Sequence, residues 1–357
     1  MKVPSEKQAM AQIVKALADL LSVSPNKVRV TLQPRRSAVH DVAADALIEA
    51  GPFTFVVEWK GVAGAGAVAW AAKQARQYVR QLGKAAIPLV AVPFMGQVGS
   101  QVCEEAGVAW LDLSGNARII APGLRIVVEG KPNRFVRRGR PVSAFAPKSS
   151  RIARWLLMHQ EQSFTQREIA EATEMDEGFT SRIVTRLEED ELVTRNYAGA
   201  IKPRDPDLLL DAWREEYDFS KHHIIAGHIP AQSGDALLRQ IVAVMTKASI
   251  PYAATGLAAS WLLDHFAGFR IVTVYVPEEP SPKLLESISF HEDERGANVW
   301  LAVPNDAGVF HEAKMHDKVR CVHPVQVYLD LKGHPERSQE AAEKLRANHL
   351  KWKKDGG

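Results

Sequence analysis

Residues 149–203 hold the feature that most restricts the fold. Three short apolar periodicities follow one another, each opened by a capping signal or a turn, and then comes an alternation around Ala198-Gly199. Ser149 or Ser150 caps a first helix carrying Ile152, Trp155, Leu156 and Leu157 on one face. Thr165 opens a second, and Glu168 three positions later completes a capping box, which satisfies two backbone donors left over at a helix start. Ile169 and Ala170 then face inward. Met175, Asp176, Glu177 and Gly178 make the turn into a third helix, which runs to about residue 190 with Phe179, Ile183, Val184 and Leu187 inward. The stretch LVTRNYAGAIKP reads as a hairpin with Arg195 and Lys202 on its arms.

Thr180, Ser181, Arg182, Thr185 and Arg186 are expected on the outer side of the third helix. Short hydroxyls and arginines reach phosphates and base edges in a major groove. Helix, helix, helix, hairpin is the order of a winged helix-turn-helix. The wording FTQREIAEAT and SRIVTRLEEDELV resembles the MarR-like group of bacterial regulators. That resemblance implies double-stranded DNA as a partner, read by those five residues, with Arg195 and Lys202 on the flanking backbone. The competing reading is a helical connector with a solvated charged face; helix order, capping and wing together favour the DNA reader.

At 357 residues the chain has room for two or three domains. Lysines and arginines exceed acids by only three, so a nucleic-acid surface must be a local patch. Cys103 and Cys321 are too few for a disulfide framework, which fits a reducing compartment. No apolar run approaches the roughly 20 residues that span a bilayer. The expectation is a cytoplasmic protein with no membrane partner.

The N-terminal part begins with an amphipathic helix over residues 5–21, with Ile13, Leu17, Leu20 and Leu21 inward, and a short strand near Val28. VAADALIEAGPFTFVVEWKG then reads as strand, turn at Gly51-Pro52, and strand. Asp45 lies on the first of these strands, and the second ends in Glu58-Trp59-Lys60. Gln74 and Gln77 fall on the next helix. Glu58 and Lys60 share a strand face, and the paired strand brings Asp45 beside them. Two carboxylates suit a hard cation such as Mg²⁺, which takes one or two of them plus waters. A lysine beside them stabilises charge developing on a phosphoryl group. The set resembles the PD-(D/E)xK, or restriction-endonuclease-like, superfamily over residues 7–128. The resemblance implies Asp45 and Glu58 as metal ligands, with Lys60 and Gln74 or Gln77 completing a catalytic site. No proline precedes Asp45, and GVAGAG (residues 61–66) is a loose loop where that family turns tightly. A nuclease fold that only binds DNA would keep much the same wording.

Beyond it, PLVAVP is a buried strand, residues 99–106 a short helix and VAWLDL a further strand; Ser114-Gly115-Asn116 makes the turn that follows. Strands alternating with helices indicate an α/β sheet. Asp112 and Asn116 are candidates for function, against the commoner role of an asparagine in turn geometry. GVAWLDLSGN resembles a segment of AbiEi-type antitoxins and related regulators. The following linker contains Lys131, Arg134, Arg137, Arg138, Arg140, Lys148, Arg151 and Arg154 with no acid between them. As an extended arm it would touch phosphates, chiefly through Arg137, Arg138 and Arg140; as a tether it would only be solvated.

After the wing, residues 205–217 form a helix with Leu208, Leu209, Ala212 and Trp213 inward. KHHIIAGHIP reads as a strand whose His222, His223 and His228 lack metal partners at ligand spacing. IPYAATGLAASWLLDHFAGFRIVTVYV gives strand, glycine turn, helix and strand, an arrangement like a nucleotidyltransferase. Val274-Tyr275-Val276 stands where that chemistry would need metal carboxylates. With the segment VHPVQVYLDLKGHPERSQEAAEKLRANHL, the run resembles the AbiEi family of type IV toxin–antitoxin proteins over residues 151–350. That likeness implies a repressor with a toxin or other operon-encoded protein as partner.

The fold expected is therefore α/β and multi-domain. A restriction-endonuclease-like domain occupies residues 1–130, a basic linker 131–148, a winged helix-turn-helix 149–204, and an α+β nucleotidyltransferase-like domain 205–357. Three function classes stay open. The first is a DNA-binding regulator needing no cofactor, a homodimer if it reads inverted half-sites. The second is a Mg²⁺-dependent endonuclease targeted by the winged helix. The third is an adaptor that docks another protein through its C-terminal domain.

Overall fold

The computed structural model describes residues 2–32, 44–62, 64–82, 85–135, 143–266, 268–293 and 295–352. Two compact units divide the chain: Met1–Ser143 with Val184–Glu215, and Ala144–Ile183 with Glu216–Gly357. Arg137, Arg138 and Arg140 lie outside the described residues.

The first unit opens with α1 (Glu6–Leu20), β1 (Arg29–Leu32), β2 (Ala46–Ala50), β3 (Phe53–Trp59), α2 (Ala65–Leu82) and β4 (Ile87–Val92). It continues with α3 (Gln97–Glu105), β5 (Ala109–Asp112), β6 (Ala117–Ala121) and β7 (Leu124–Val128). All seven strands pair in chain order in one sheet. β1 to β3 form an antiparallel meander turned by Gly51 at φ +58°. β3, β4 and β5 are parallel, and β6 and β7 return antiparallel. Parallel neighbours need a crossover, which α2 and α3 supply.

Alternation along the strands gives the sheet two different faces. Phe55, Val57, Leu89, Ala91 and Leu111 pack with Ile13 and Leu17 of α1. Val90, Val92 and Trp110 project the other way, against Val68, Ala71 and Ala72 of α2 and Cys103 of α3. Ile13 and Leu17 are fully buried, which stabilises by about 1.5–3 kcal/mol for each side chain.

Next come α4 (Ser150–Met158), α5 (Gln166–Ala172), α6 (Glu177–Glu189), β8 (Val193–Arg195), β9 (Ile201–Pro203) and α7 (Pro206–Glu216). Thr165 caps α5 as its sequence requires: Oγ1 accepts from Glu168 N–H at 3.2 Å, and Glu168 Oε2 accepts from Thr165 N–H at 2.7 Å. β8 and β9 pair around Asn196-Tyr197-Ala198-Gly199, with Gly199 at φ +79°. The division between the units falls within α6, whose residues from Val184 onward belong to the first. There the GVAGAG segment finds its explanation. A Cβ on Gly66 would lie 2.2 Å from the carbonyl oxygen of Asp190. Glycine therefore lets the start of α2 approach the backbone that leaves α6, and an exact match to a tight strand-to-helix turn is not what the segment serves.

The second unit adds β10 (His223–His228), α8 (Gly234–Lys247), β11 (Ala253–Thr255), α9 (Gly256–Asp264), β12 (Val272–Tyr275) and α10 (Pro282–Ser287). β13 (His291–Glu292), β14 (Val299–Val303), β15 (Lys314–His316), β16 (Val319–Cys321), α11 (Pro324–Asp330) and α12 (Ser338–His349) complete it. Its sheet runs β13-β10-β14-β12-β11-β16-β15. α9 is apolar nearly all round and correspondingly buried, from Gly256 through Leu262 apart from Trp261. Among the described residues, no helix is long and apolar enough to cross a membrane.

Candidate functional site

The acid-x-lysine set converges at the end of β3. Glu58 is 2% exposed, and Lys60 Nζ stands 3.4 Å from its Oε2. The same ammonium lies 3.5 Å from Gln74 Oε1 on α2. Asp45 sits one residue ahead of β2, not within it, and its Oδ2 accepts the Trp59 N–H at 2.8 Å. Burial, then the nearby Asp45 charge, push the Glu58 carboxyl up from 4.5 to about 7, against the opposing pull of Lys60. Glu58 Oε1 is buried with no hydrogen-bond partner among the described residues. Asp45, Glu58, Lys60 and Gln74 are thus one cluster. Gln77, three positions beyond Gln74 on α2, is exposed instead. No group of three or more histidines, cysteines or acids with metal-binding geometry occurs among the described residues; a two-carboxylate magnesium site does not require one.

On α6, Arg182 and Thr185 are exposed, Ser181 and Arg186 half-buried. Thr180 corrects the expected outward set, being fully buried. The reason is helical spacing: it precedes Ile183, Val184 and Leu187 by three, four and seven residues, so it shares their inward face. Arg182 lies over the Phe179 ring at 5.6 Å. Arg186 pairs with Asp190 at 3.0 Å, and Arg195 grips Glu188 at 2.6 and 3.1 Å. The latter contact fastens β8 to the end of α6. Lys202 is half-buried on β9. The hairpin tip is pre-formed: Asn196 Oδ1 accepts from Ala198 N–H and Ala200 N–H, both at 2.9 Å, leaving Tyr197 fully exposed. Of the linker bases, Arg151 and Arg154 turn into the second unit, where Arg151 meets Asp306 at 2.8 Å and Arg154 donates to Gln326 at 2.6 Å.

Two buried polar networks are also present, the first built on the candidates Asp112 and Asn116 and the second on residues the sequence did not single out together. Asp112 is 2% exposed, yet it accepts from Met95 N–H, Gly115 N–H, Asn116 N–H and Asn116 Nδ2 at 2.8–3.1 Å. Asn116 in turn bonds both backbone groups of Lys131 at 2.7 and 3.1 Å. In the second unit Asp330 accepts from Tyr217, from Thr255 at 2.5 Å, from Gln326 at 2.7 Å and from Tyr275 at 3.1 Å. Burial pushes its carboxyl up to about 6, against those four bonds. His222 is part of this cluster. Nδ1 accepts the Asn305 N–H at 3.1 Å while Nε2 meets Tyr217 and Tyr275 at 2.9 and 3.1 Å. Burial holds it down at about 4, so it stays neutral. The Asp-x-x-x-Asn spacing was a visible signal for the first network. The second joins residues over 100 positions apart and had none.

Comparison with known families gives two adjoining matches. Residues 146–198 match the MarR family. Residues 204–351 match a family described as transcriptional regulator, AbiEi antitoxin, type IV TA system. No curated protein and no solved structure gives a match.

Proposed function

We propose that this chain is a sequence-specific DNA-binding transcriptional regulator that serves as repressor and antitoxin of a type IV toxin–antitoxin-like operon. The observation that carries the reading is α6. It lies in the segment similar to the MarR family, buries one face, and leaves Arg182 and Thr185 exposed on the other. An arginine there makes a bidentate contact to guanine, while Lys202 on the wing meets phosphate. The adjoining antitoxin-like match supports an operon-encoded toxin as the protein partner, and a palindromic operator would call for a homodimer. The test is a gel-shift titration with the DNA upstream of its own gene. Arg182→Ala should relax base preference by about 1–3 kcal/mol, and Lys202→Ala should weaken all sequences alike. Unchanged binding by both variants would remove these roles.

A second reading rests on the Asp45–Glu58–Lys60–Gln74 cluster: a Mg²⁺-dependent endonuclease of the PD-(D/E)xK type. The order α1, antiparallel β1–β3, α2 and parallel β4 supports that fold for residues 1–130, and Gly256 opening α9 between antiparallel β11 and β12 supports a nucleotidyltransferase-like one for 205–357. Glu58 Oε1, buried without a partner beside Asp45, fits a divalent cation. When bound, that ion would supply Lewis-acid polarisation of a phosphoryl oxygen and a more acidic water. Asp45 and Glu58 would hold it, Lys60 would offer its ammonium to the developing charge, and Gln74 would keep Lys60 in place. Nicking of supercoiled DNA in Mg²⁺ or Mn²⁺ that disappears in Glu58→Ala supports this reading. Intact DNA beside tight binding supports the regulator alone.

A further inference from the structure

β7 closes one side of the first unit's sheet, and among the described residues no strand pairs with its outer edge. Its register with β6 runs unbroken from Leu124 to Val128, with no bulge and no proline. Edge strands that stay single are commonly blunted by one of those devices, because their free N–H and C=O groups pair with any strand offered. Both faces of β7 are also unfinished. Leu124, Ile126 and Val128 are half-buried on one; on the other, Val127 is 42% exposed and Ile120 of β6 48%. Glu129, the next residue on that second face, is 61% exposed and stands 4.0 Å from Arg118, whose closer partner is Glu104.

The strand is complementary to itself. A two-fold axis through an antiparallel pair sets each residue opposite one fixed position of the other copy. With the axis at Val127, Arg125 faces Glu129 of a second copy, Glu129 faces its Arg125, and Val127 meets its own equivalent. Ile126 then meets Val128 on the opposite face. An axis at Ile126 instead puts Arg125 opposite Val127 and Glu129 opposite Gly123, which leaves both charges single. The backbone permits the Val127 axis. Pro122-Gly123 is a two-residue turn, so Ala121 and Leu124 at its ends share a backbone hydrogen bond. Alternate residues of an antiparallel ladder bond to the same side. Leu124, Ile126 and Val128 therefore bond to β6, while Arg125 and Val127 direct their N–H and C=O groups outward. β1, the sheet's other edge, carries Arg29 and no acid, so no two-fold gives its charge a partner.

We propose that a second copy of this chain docks on β7, edge to edge and antiparallel about Val127, joining two seven-stranded sheets into one. Backbone bonds supply the attachment, and the Arg125–Glu129 pairs on either side of the axis set the register. A homodimer is what inverted half-sites require. This one forms without DNA, so its failure and the failure of operator binding are separate results.

Sedimentation equilibrium of the full chain, in the absence of DNA, measures the self-association. The wild type should be a concentration-dependent dimer. Arg125→Glu and Glu129→Arg each turn two opposite-charge pairs into two like-charge pairs, and each should weaken the dimer about tenfold or more. The double variant exchanges the partners and should restore it. Val127→Pro removes an N–H that points away from β6, so the chain should keep its fold, read by circular dichroism, and lose the dimer. Amide exchange in the wild type should slow at Arg125 and Val127 as the protein is concentrated. A chain that stays monomeric, a dimer that Val127→Pro or the single charge reversals leave intact, or a double variant no tighter than the singles overturns the proposal.

Discussion

Glu58 offers a measurement whose size follows from its surroundings. Burial and the Asp45 charge raise its carboxyl from 4.5 to about 7. Each decade of proton affinity is worth about 1.4 kcal/mol, so ionising Glu58 in the folded chain costs about 3 kcal/mol more than in the unfolded one. The sign is that of a raised acid. Its contribution is fully present below pH 4.5, falls away as pH rises, and is gone above pH 7. Other groups titrate over the same range, so the informative quantity is a difference between two proteins. Glu58→Gln keeps the shape and cannot ionise. In urea denaturation the two should agree near pH 3.5, below the unfolded-state pKa, and the variant should be the more stable by up to about 3 kcal/mol at pH 8.5. A difference that is the same at both pH values would refute the argument, because burial of a charge would not be its cause. Magnesium adds a second arm. Under the endonuclease reading the ion stabilises the wild type at pH 8.5 by about 1.4 kcal/mol for each tenfold excess over its Kd, and Glu58→Gln by much less.

Three further outcomes are expected. Gly66→Ala should lower stability by about 1–3 kcal/mol, read as a fall in Tm, since its Cβ would meet the Asp190 carbonyl at 2.2 Å. Asp112→Asn places an amide donor among four existing donors and should cost about 3 kcal/mol of unfolding free energy, with amide exchange rising at Met95 and Asn116. Glu188→Gln should change stability by less than about 1 kcal/mol. By releasing Arg195 it should tighten DNA binding at low salt and steepen the logarithmic salt dependence by about 1.

Local regularities in the chain carried much of the architecture. The apolar period of α6, the Thr165–Glu168 capping box and the Ala198-Gly199 hairpin each depend on residues within a few positions, where backbone geometry links sequence spacing directly to contact. The spacing of Glu58 at the end of β3 and Lys60 just beyond it is of the same kind, and bringing Asp45 beside them needed only the start of the neighbouring strand. Thr180 shows the limit of polarity as a guide: helical spacing placed it inward although its side chain is polar.

What the tertiary structure decided were the contacts between distant segments. Nothing near Gly66 announces Asp190, and nothing near His222 announces Asp330. Whether Arg195 faces DNA alone or first meets Glu188 also depended on how β8 turned back along α6. The physical reason is that local spacing fixes which face of an element a residue occupies. What that face meets is settled only when the backbone closes on itself, by which atoms then come close enough to exclude one another or to share a proton.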